Sequence, residues 1–149
     1  MDQIDWKIIE ILQKNARITI SHLSRKVHLT APAVSERILK MEEKGIIRGY
    51  TAKLDIEQLG YHVICFVKTD VARNQEEQFI QFCRFQDEII ECHLISGKSS
   101  FLVKVGAHNI TALEIFLKKF HDFDHTESYI VLEEIFKDNV FSRPLNEVK

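Results

Sequence analysis

The stretch from His28 to Gly45, HLTAPAVSERILKMEEKG, gathers side chains suited to gripping a polyanion. At about 100° per residue, Val34, Ile38 and Met41 form one apolar stripe. Ala33, Glu36, Lys40, Glu43 and Lys44 then lie opposite it, with Arg37 flanking and Ser35 at the edge near the N-terminal end. Small residues such as Ala31 and Ala33 allow close approach and pack on a thymine methyl. Ser35 donates or accepts at a base or a phosphate. Arg37 can make a forked contact to guanine or phosphate. Lys40 and Lys44 neutralise backbone charge. Glu36 either accepts from cytosine N4 or orients Arg37 or Lys40 through a local ion pair, and the ion pair is the simpler role. A solvated helix face can carry the same alternation of charges. What favours double-stranded DNA is the company this helix keeps: a small-residue front, a tight turn before it, a basic segment after it and a local excess of positive charge.

That excess is hidden in the whole-chain balance of −2 over 149 residues. Residues 1–53 hold ten Lys/Arg against six Asp/Glu, and the remainder holds ten against sixteen. A basic first part and an acidic second part imply an anionic partner for the first alone. Other chemistry is poorly represented. There is no glycine-rich phosphate loop, no H-E-x-x-H and no motif placing a nucleophile beside its base, so the chain does not read as an enzyme. Seven His and three Cys raise a metal site, but Cys92 and His93 are strand neighbours pointing to opposite faces, so no metal is expected. Cys65, Cys83 and Cys92 are odd in number and not closely spaced, which argues against a disulfide framework and for a cytoplasmic protein. The acidic start lacks a signal-peptide layout, and no apolar run is long enough to span a membrane.

The elements that must position these residues follow from periodicity. Ile4, Ile8, Ile11 and Leu12 predict an amphipathic helix, started by Asp2 or Asp5 and ended by Asn15. Ile20, Leu23 and Val27 predict a second, and Val34, Ile38 and Met41 a third. Thr30 caps that third helix, Pro32 occupies its first turn where a missing N–H costs little, and Gly45 ends it. Three short helices with a tight break between the second and third make a helix-turn-helix, whose second member lies in the major groove. Ile46 to Leu54 reads as a strand leading out, and Asp55 to Gly60 as a linker.

From Tyr61 the period becomes two. Strands are predicted over Tyr61–Val71, Ile89–Ser96, Ser100–Val105 and Ser128–Lys137, with helices over Gln75–Phe85 and Ile110–Phe120. The order βαββαβ is that of a ferredoxin-like sandwich, an antiparallel sheet with both helices on one face. The fold class is α+β. The helix-turn-helix domain spans 1–50, a strand and linker 51–60, and the ferredoxin-like domain 61–149. Ile64 and Phe66 fall on the sheet face that the helices leave bare, which suggests a second copy of the domain as cover.

The run LSRKVHLTAPAVSERILKMEEKGIIRGYTAKLD, followed by a βαββαβ domain with a glycine between its middle strands, resembles the Lrp/AsnC (feast/famine) transcriptional regulators over roughly residues 2–138. The resemblance implies a bacterial or archaeal regulator that binds pseudo-palindromic DNA. Its C-terminal domain would resemble the amino-acid-binding (ACT-like) domains of metabolic enzymes and dimerise through its sheet. Dimers in the family often assemble further, commonly to octamers, and many members sense amino acids between subunits. By position, Thr30, Ser35, Arg37 and Lys40 fall where the family contacts DNA, and Gly97, Ser99 and Ser100 where it holds an effector. One departure stands out. Amino-acid-binding members carry an acidic residue three positions after that glycine, and here the stretch is GKSSF, with Ser100 in the acidic place. A weak or absent response to amino acids is therefore expected, unless Glu91, Asp124 or Glu127 supplies the charge. The alternative function is a ligand-independent architectural protein that wraps or bridges DNA.

Overall fold

The computed structural model describes residues 1–97, 100–121, 123, 125–135 and 140–141. The chain divides into two compact units, Met1–Lys53 with Phe136–Lys149, and Leu54–Ile135.

The first unit holds α1 (Gln3–Lys14), α2 (Ile20–Val27) and α3 (Ala31–Glu43). Each helix is started by the residue type its unpaired N–H groups require. Asp2 caps α1 in a reciprocal box with Asp5, Thr19 caps α2, and Thr30 caps α3 with Pro32 in its first turn. The break between α2 and α3 is only three residues long because His28 adopts a left-handed conformation at φ 56°. Leu29 then donates back to the Ser24 carbonyl at 3.0 Å. Gly45 (φ 66°) closes α3 in the same way, and Ile46 donates to the Met41 carbonyl at 2.9 Å. Ile8, Leu23, Val27, Val34, Ile38 and Met41 form the buried core of the unit, so all three apolar stripes meet.

The second unit is a four-stranded antiparallel sheet in the order β2-β3-β1-β4, where β1 is Val63–Thr69, β2 Ile89–Leu94, β3 Phe101–Ala107 and β4 Thr126–Ile130. Helices α4 (Glu76–Arg84) and α5 (Ile110–Leu117) cover one face. Cys65, Val67 and Thr69 of β1 and Phe101, Val103 and Val105 of β3 point into that covered face. Above them Phe79 packs against Phe101 and Phe123, with ring centroids 4.7 and 4.8 Å apart.

One expectation changes. Residues 46–54 form no strand: among the described residues no segment pairs with them in a ladder. Asp55 to Gly60, the expected linker, is a hydrogen-bonded turn: the Asp55 carboxylate accepts from the Glu57 and Gln58 amides. The last strand starts at Thr126 and ends at Ile130, near the first residues of its partner β1. The expected strand end at Lys137 lies outside the described residues.

Candidate functional site

The third helix, α3, presents its outward side chains from a scaffold that is fixed at both ends. Ser35, Glu36, Lys40 and Lys44 are exposed and Ala33 is half-buried. Ala33, Glu36, Arg37, Lys40 and Lys44 line one shallow groove of about 340 Å³ beside Asp5 of α1. Thr30 and Ser35 stand outside this groove, at the N-terminal end of the helix. The Thr30 hydroxyl oxygen accepts from the Ala33 N–H at 3.4 Å, which leaves its own proton available to a phosphate.

Glu36 forms a local ion pair. Its carboxylate meets Lys40 Nζ at 2.6 Å, one helical turn on, and that ammonium holds the Glu36 carboxyl below its ordinary range. The front of α3 therefore carries a screened ion pair rather than a bare cation at this position.

Arg37, expected to make a forked contact to guanine or phosphate, is ion-paired within this unit through one of its guanidinium nitrogens. Its Nη1 donates to Asp5 at 2.6 Å and to Asp2 at 2.7 Å, and its side chain is 31% exposed. The physical reason lies in the capping of α1. The box that starts the helix places two carboxylates at its N-terminus, and Arg37 sits where α3 passes them. The two carboxylates raise the Arg37 pKa further. Asp2 is lowered chiefly by the Asp5 backbone N–H and then by Arg37. Arg37 thus ties α1 to α3.

The sequence reading missed two residues on the same front. Leu39 is 53% exposed and Pro32 is exposed, both on the side of α3 away from the core stripe. Helical phase already placed them there. The segment after α3 adds Arg48 and Lys53, both exposed, and Ile47, which is packed against the core. Tyr50 donates to Glu42 at 2.9 Å and anchors this segment to the end of α3. Burial first, and then the Glu42 carboxylate, push the Tyr50 hydroxyl up to about 12.

In the second unit, Gly97 is exposed at φ 130°, a conformation that disfavours any other residue. Ser100 is half-buried and fully engaged. Its N–H donates to the Asp70 carboxylate at 3.1 Å and lies 3.2 Å from the Thr69 carbonyl, and its hydroxyl accepts from the Val71 N–H at 3.4 Å. Ser99 lies outside the described residues. Asp70 is thus a carboxylate at this turn that the sequence did not point to. Glu91 is instead paired with Lys104 and His93, and Glu127 with Lys68, Tyr129 and His125, while Asp124 lies outside the described residues.

The sheet face away from the helices carries Ile64 and Phe66 beside these ion pairs. Both are half-buried within the single chain. Lys104 Nζ lies 5.8 Å above the Phe66 ring and Lys68 Nζ the same distance from the Tyr129 ring. Gly106 admits Ile90 and Tyr61 so closely that a Cβ there would meet both at 3.1 Å. Among the described residues no cluster of His, Cys, Asp and Glu could hold a metal ion, and no helix is long and apolar enough to cross a membrane.

Residues 1–48 match the family described as winged helix-turn-helix DNA-binding, and residues 62–141 match the Lrp/AsnC ligand binding domain. The HTH-type transcriptional regulator LrpC of Bacillus subtilis is 34% identical over 139 residues, covering 93% of this chain and 96% of its own. The leucine-responsive regulatory protein of Escherichia coli K12 is 34% identical over 146 residues, covering 93% and 89%. Among solved structures, that of B. subtilis LrpC superposes with a TM-score of 0.87 at 34% identity, covering 91% of this chain and 97% of its own. The complex of the Neisseria meningitidis regulator NMB0573 with L-Met superposes with a TM-score of 0.87 at 29% identity, covering 98% and 97%.

Proposed function

Because this chain belongs to the Lrp/AsnC family and is a DNA-binding transcriptional regulator rather than an enzyme, we propose that it reads DNA with the exposed front of α3. The observation that carries this is the capped turn before α3. It sets Thr30, Pro32, Ser35, Glu36, Leu39 and Lys40 outward on a helix whose other face is buried. In this reading Ser35 and the Lys40–Glu36 pair meet base edges. Leu39, Pro32 and Ala33 make apolar contacts, and Thr30, Lys44 and Arg48 take phosphates. Arg37 holds α3 at the right angle to α1.

The protein works in the cytoplasm as a homo-oligomer in this proposal. Dimers form through the sheet face bearing Ile64 and Phe66, and octamers are the further assembly. Two α3 helices then face half-sites a DNA turn apart, which explains a pseudo-palindromic target. An amino acid at the turn after Gly97 is the proposed effector. Fluorescence anisotropy on the gene's own upstream DNA, with Ser35→Ala and Lys40→Ala variants and an amino-acid panel, tests the reading. Sequence-selective binding that both variants weaken supports it, and selectivity untouched by either refutes the assignment to α3. Ser100 in the place of an acidic residue favours a second reading, an architectural protein without an effector. Binding that ignores every amino acid at millimolar concentration selects that reading.

A further inference from the structure

The cysteines carry chemistry that DNA reading does not use. Strand β2 lies at the outer edge of the sheet, and its register pairs Cys92 with Val103. Val103 is completely buried under the helices. Directly paired residues share a face, so Cys92 points toward α4 rather than toward the bare face. There it meets Cys83, which projects from the last turn of α4 and is buried at 5% exposure. Both sulfurs line a groove of about 440 Å³ between α4 and β2, together with Ile80, Arg84 and Leu94. Both are free thiols, and Cys92 is exposed at the sheet edge. One thiol thus faces solvent while a second stands behind it.

We propose that Cys83 and Cys92 form a reversible dithiol–disulfide site, oxidised by a hydroperoxide and restored by a low-molecular-weight thiol. Cys92 is the attacking sulfur and Cys83 the resolving one. The Cys92 thiolate attacks one peroxide oxygen and the O–O bond breaks. The displaced oxygen leaves as water or alcohol after taking a proton, and Cys92 becomes a sulfenic acid. The Cys83 sulfur then attacks the Cys92 sulfur. The S–O bond breaks and hydroxide departs as water with the Cys83 proton. The two thiols lose two electrons and the peroxide gains them. Two molecules of small thiol reverse the process by giving up two electrons and becoming a disulfide.

The surroundings suit this division of labour. The neighbouring Cys83 thiol, and then the charge of His93, draw Cys92 down to about 7. Cys83 is pushed up by the same contact and by burial. Arg84 on α4, and Glu91 and His93 on β2, are the charged and titratable groups around the pair. A thiol near neutrality combines a large thiolate fraction with useful nucleophilicity. Cys65 is an internal control, since it is fully buried and burial raises its pKa.

The test uses the full chain, reduced, freed of reductant and exposed to a few equivalents of hydrogen peroxide. Remaining thiols are then blocked and the protein is digested without reduction. The expected product is a single cross-linked peptide joining Cys83 to Cys92, with Cys65 blocked as a free thiol and the link undone by dithiothreitol. Cys92→Ser abolishes oxidation at this site. Cys83→Ser leaves a sulfenic acid on Cys92 that dimedone captures. The iodoacetamide rate at Cys92 should turn over near pH 7 in the native chain and move upward in Cys83→Ala. Circular dichroism confirms that the variants are folded, and the native chain alone gives the decisive peptide. Oxidation that leaves no Cys83–Cys92 link overturns the proposal. So does an alkylation midpoint in the ordinary thiol range that Cys83→Ala does not move.

Discussion

The tie between Arg37 and the first turn of α1 can be separated from a DNA contact by measurement. Arg37→Gln removes two charge-assisted hydrogen bonds, at 2.6 Å to Asp5 and 2.7 Å to Asp2. The Asp2 arm is half-exposed and screened by water. The Asp5 side chain is 16% exposed, so most of the effect is expected from that arm. A hydrogen bond to a charged group contributes about 1.5–3 kcal/mol when sheltered, and an exposed ion pair about 0.2–1 kcal/mol. At this intermediate exposure, a loss of about 1 kcal/mol follows. Trp6 in α1 is the single tryptophan of the chain, so its fluorescence in urea reports unfolding of this unit. A double-mutant cycle of Arg37→Gln with Asp5→Asn should show a coupling of about 0.5–1 kcal/mol. DNA binding by Arg37→Gln should weaken without a change in its salt slope, because no phosphate contact is removed. The reasoning fails if the coupling is below about 0.2 kcal/mol while the salt slope flattens by about one unit, the mark of a phosphate-bound arginine.

Lys44→Ala should weaken binding and reduce the salt slope by about one unit, measured by anisotropy across a salt series. Glu36→Gln, which frees Lys40 from its 2.6 Å pair, should strengthen binding to unrelated DNA and so lower selectivity. Ile8→Ala opens a cavity at a fully buried site and should cost about 2–5 kcal/mol by urea denaturation followed at Trp6. Asp2, Glu36, Glu91 and Glu127 all have folded pKa values below their ordinary 3.8 or 4.5, so their contribution is fully present above about pH 4.5 and lost as pH falls through the lowered values. The urea midpoint should stay level from pH 6 to about 5 and fall below about 4.5, and a midpoint still level at about pH 3 contradicts this. Ser100→Asp places a carboxylate where the Ser100 hydroxyl accepts from the Val71 N–H and should create or strengthen amino-acid affinity, measured by calorimetry.

The helices and strands were legible because burial on one side imposes a period. Ile4, Ile8, Ile11 and Leu12 can share a face only in a helix, and Cys65, Val67 and Thr69 only in a strand. Caps were legible for a related reason: Asp2, Thr30 and Gly45 are the residue types that pair or relieve the unpaired groups at helix ends. Segment 46–54 misled because β-forming residues specify a strand only where a partner edge exists, and periodicity carries no information about partners. The ion pairs of Arg37 were not legible for a similar reason. Its place on the helical wheel flanks the exposed front, but what it meets depends on how α1 crosses α3, a tertiary fact set by the whole core.

The turn after Gly97 shows where local reading stops. The sequence offers a serine in the place of an acid, and the natural inference is a missing charge. In the folded unit Asp70, thirty positions earlier, arrives at the same place because β1 and β3 are antiparallel neighbours whose register ends at Thr69 and Phe101. The residue after the last pair on β1 and the residue before the last pair on β3 must then lie side by side. Those residues are Asp70 and Ser100, and the Ser100 N–H is held by that carboxylate.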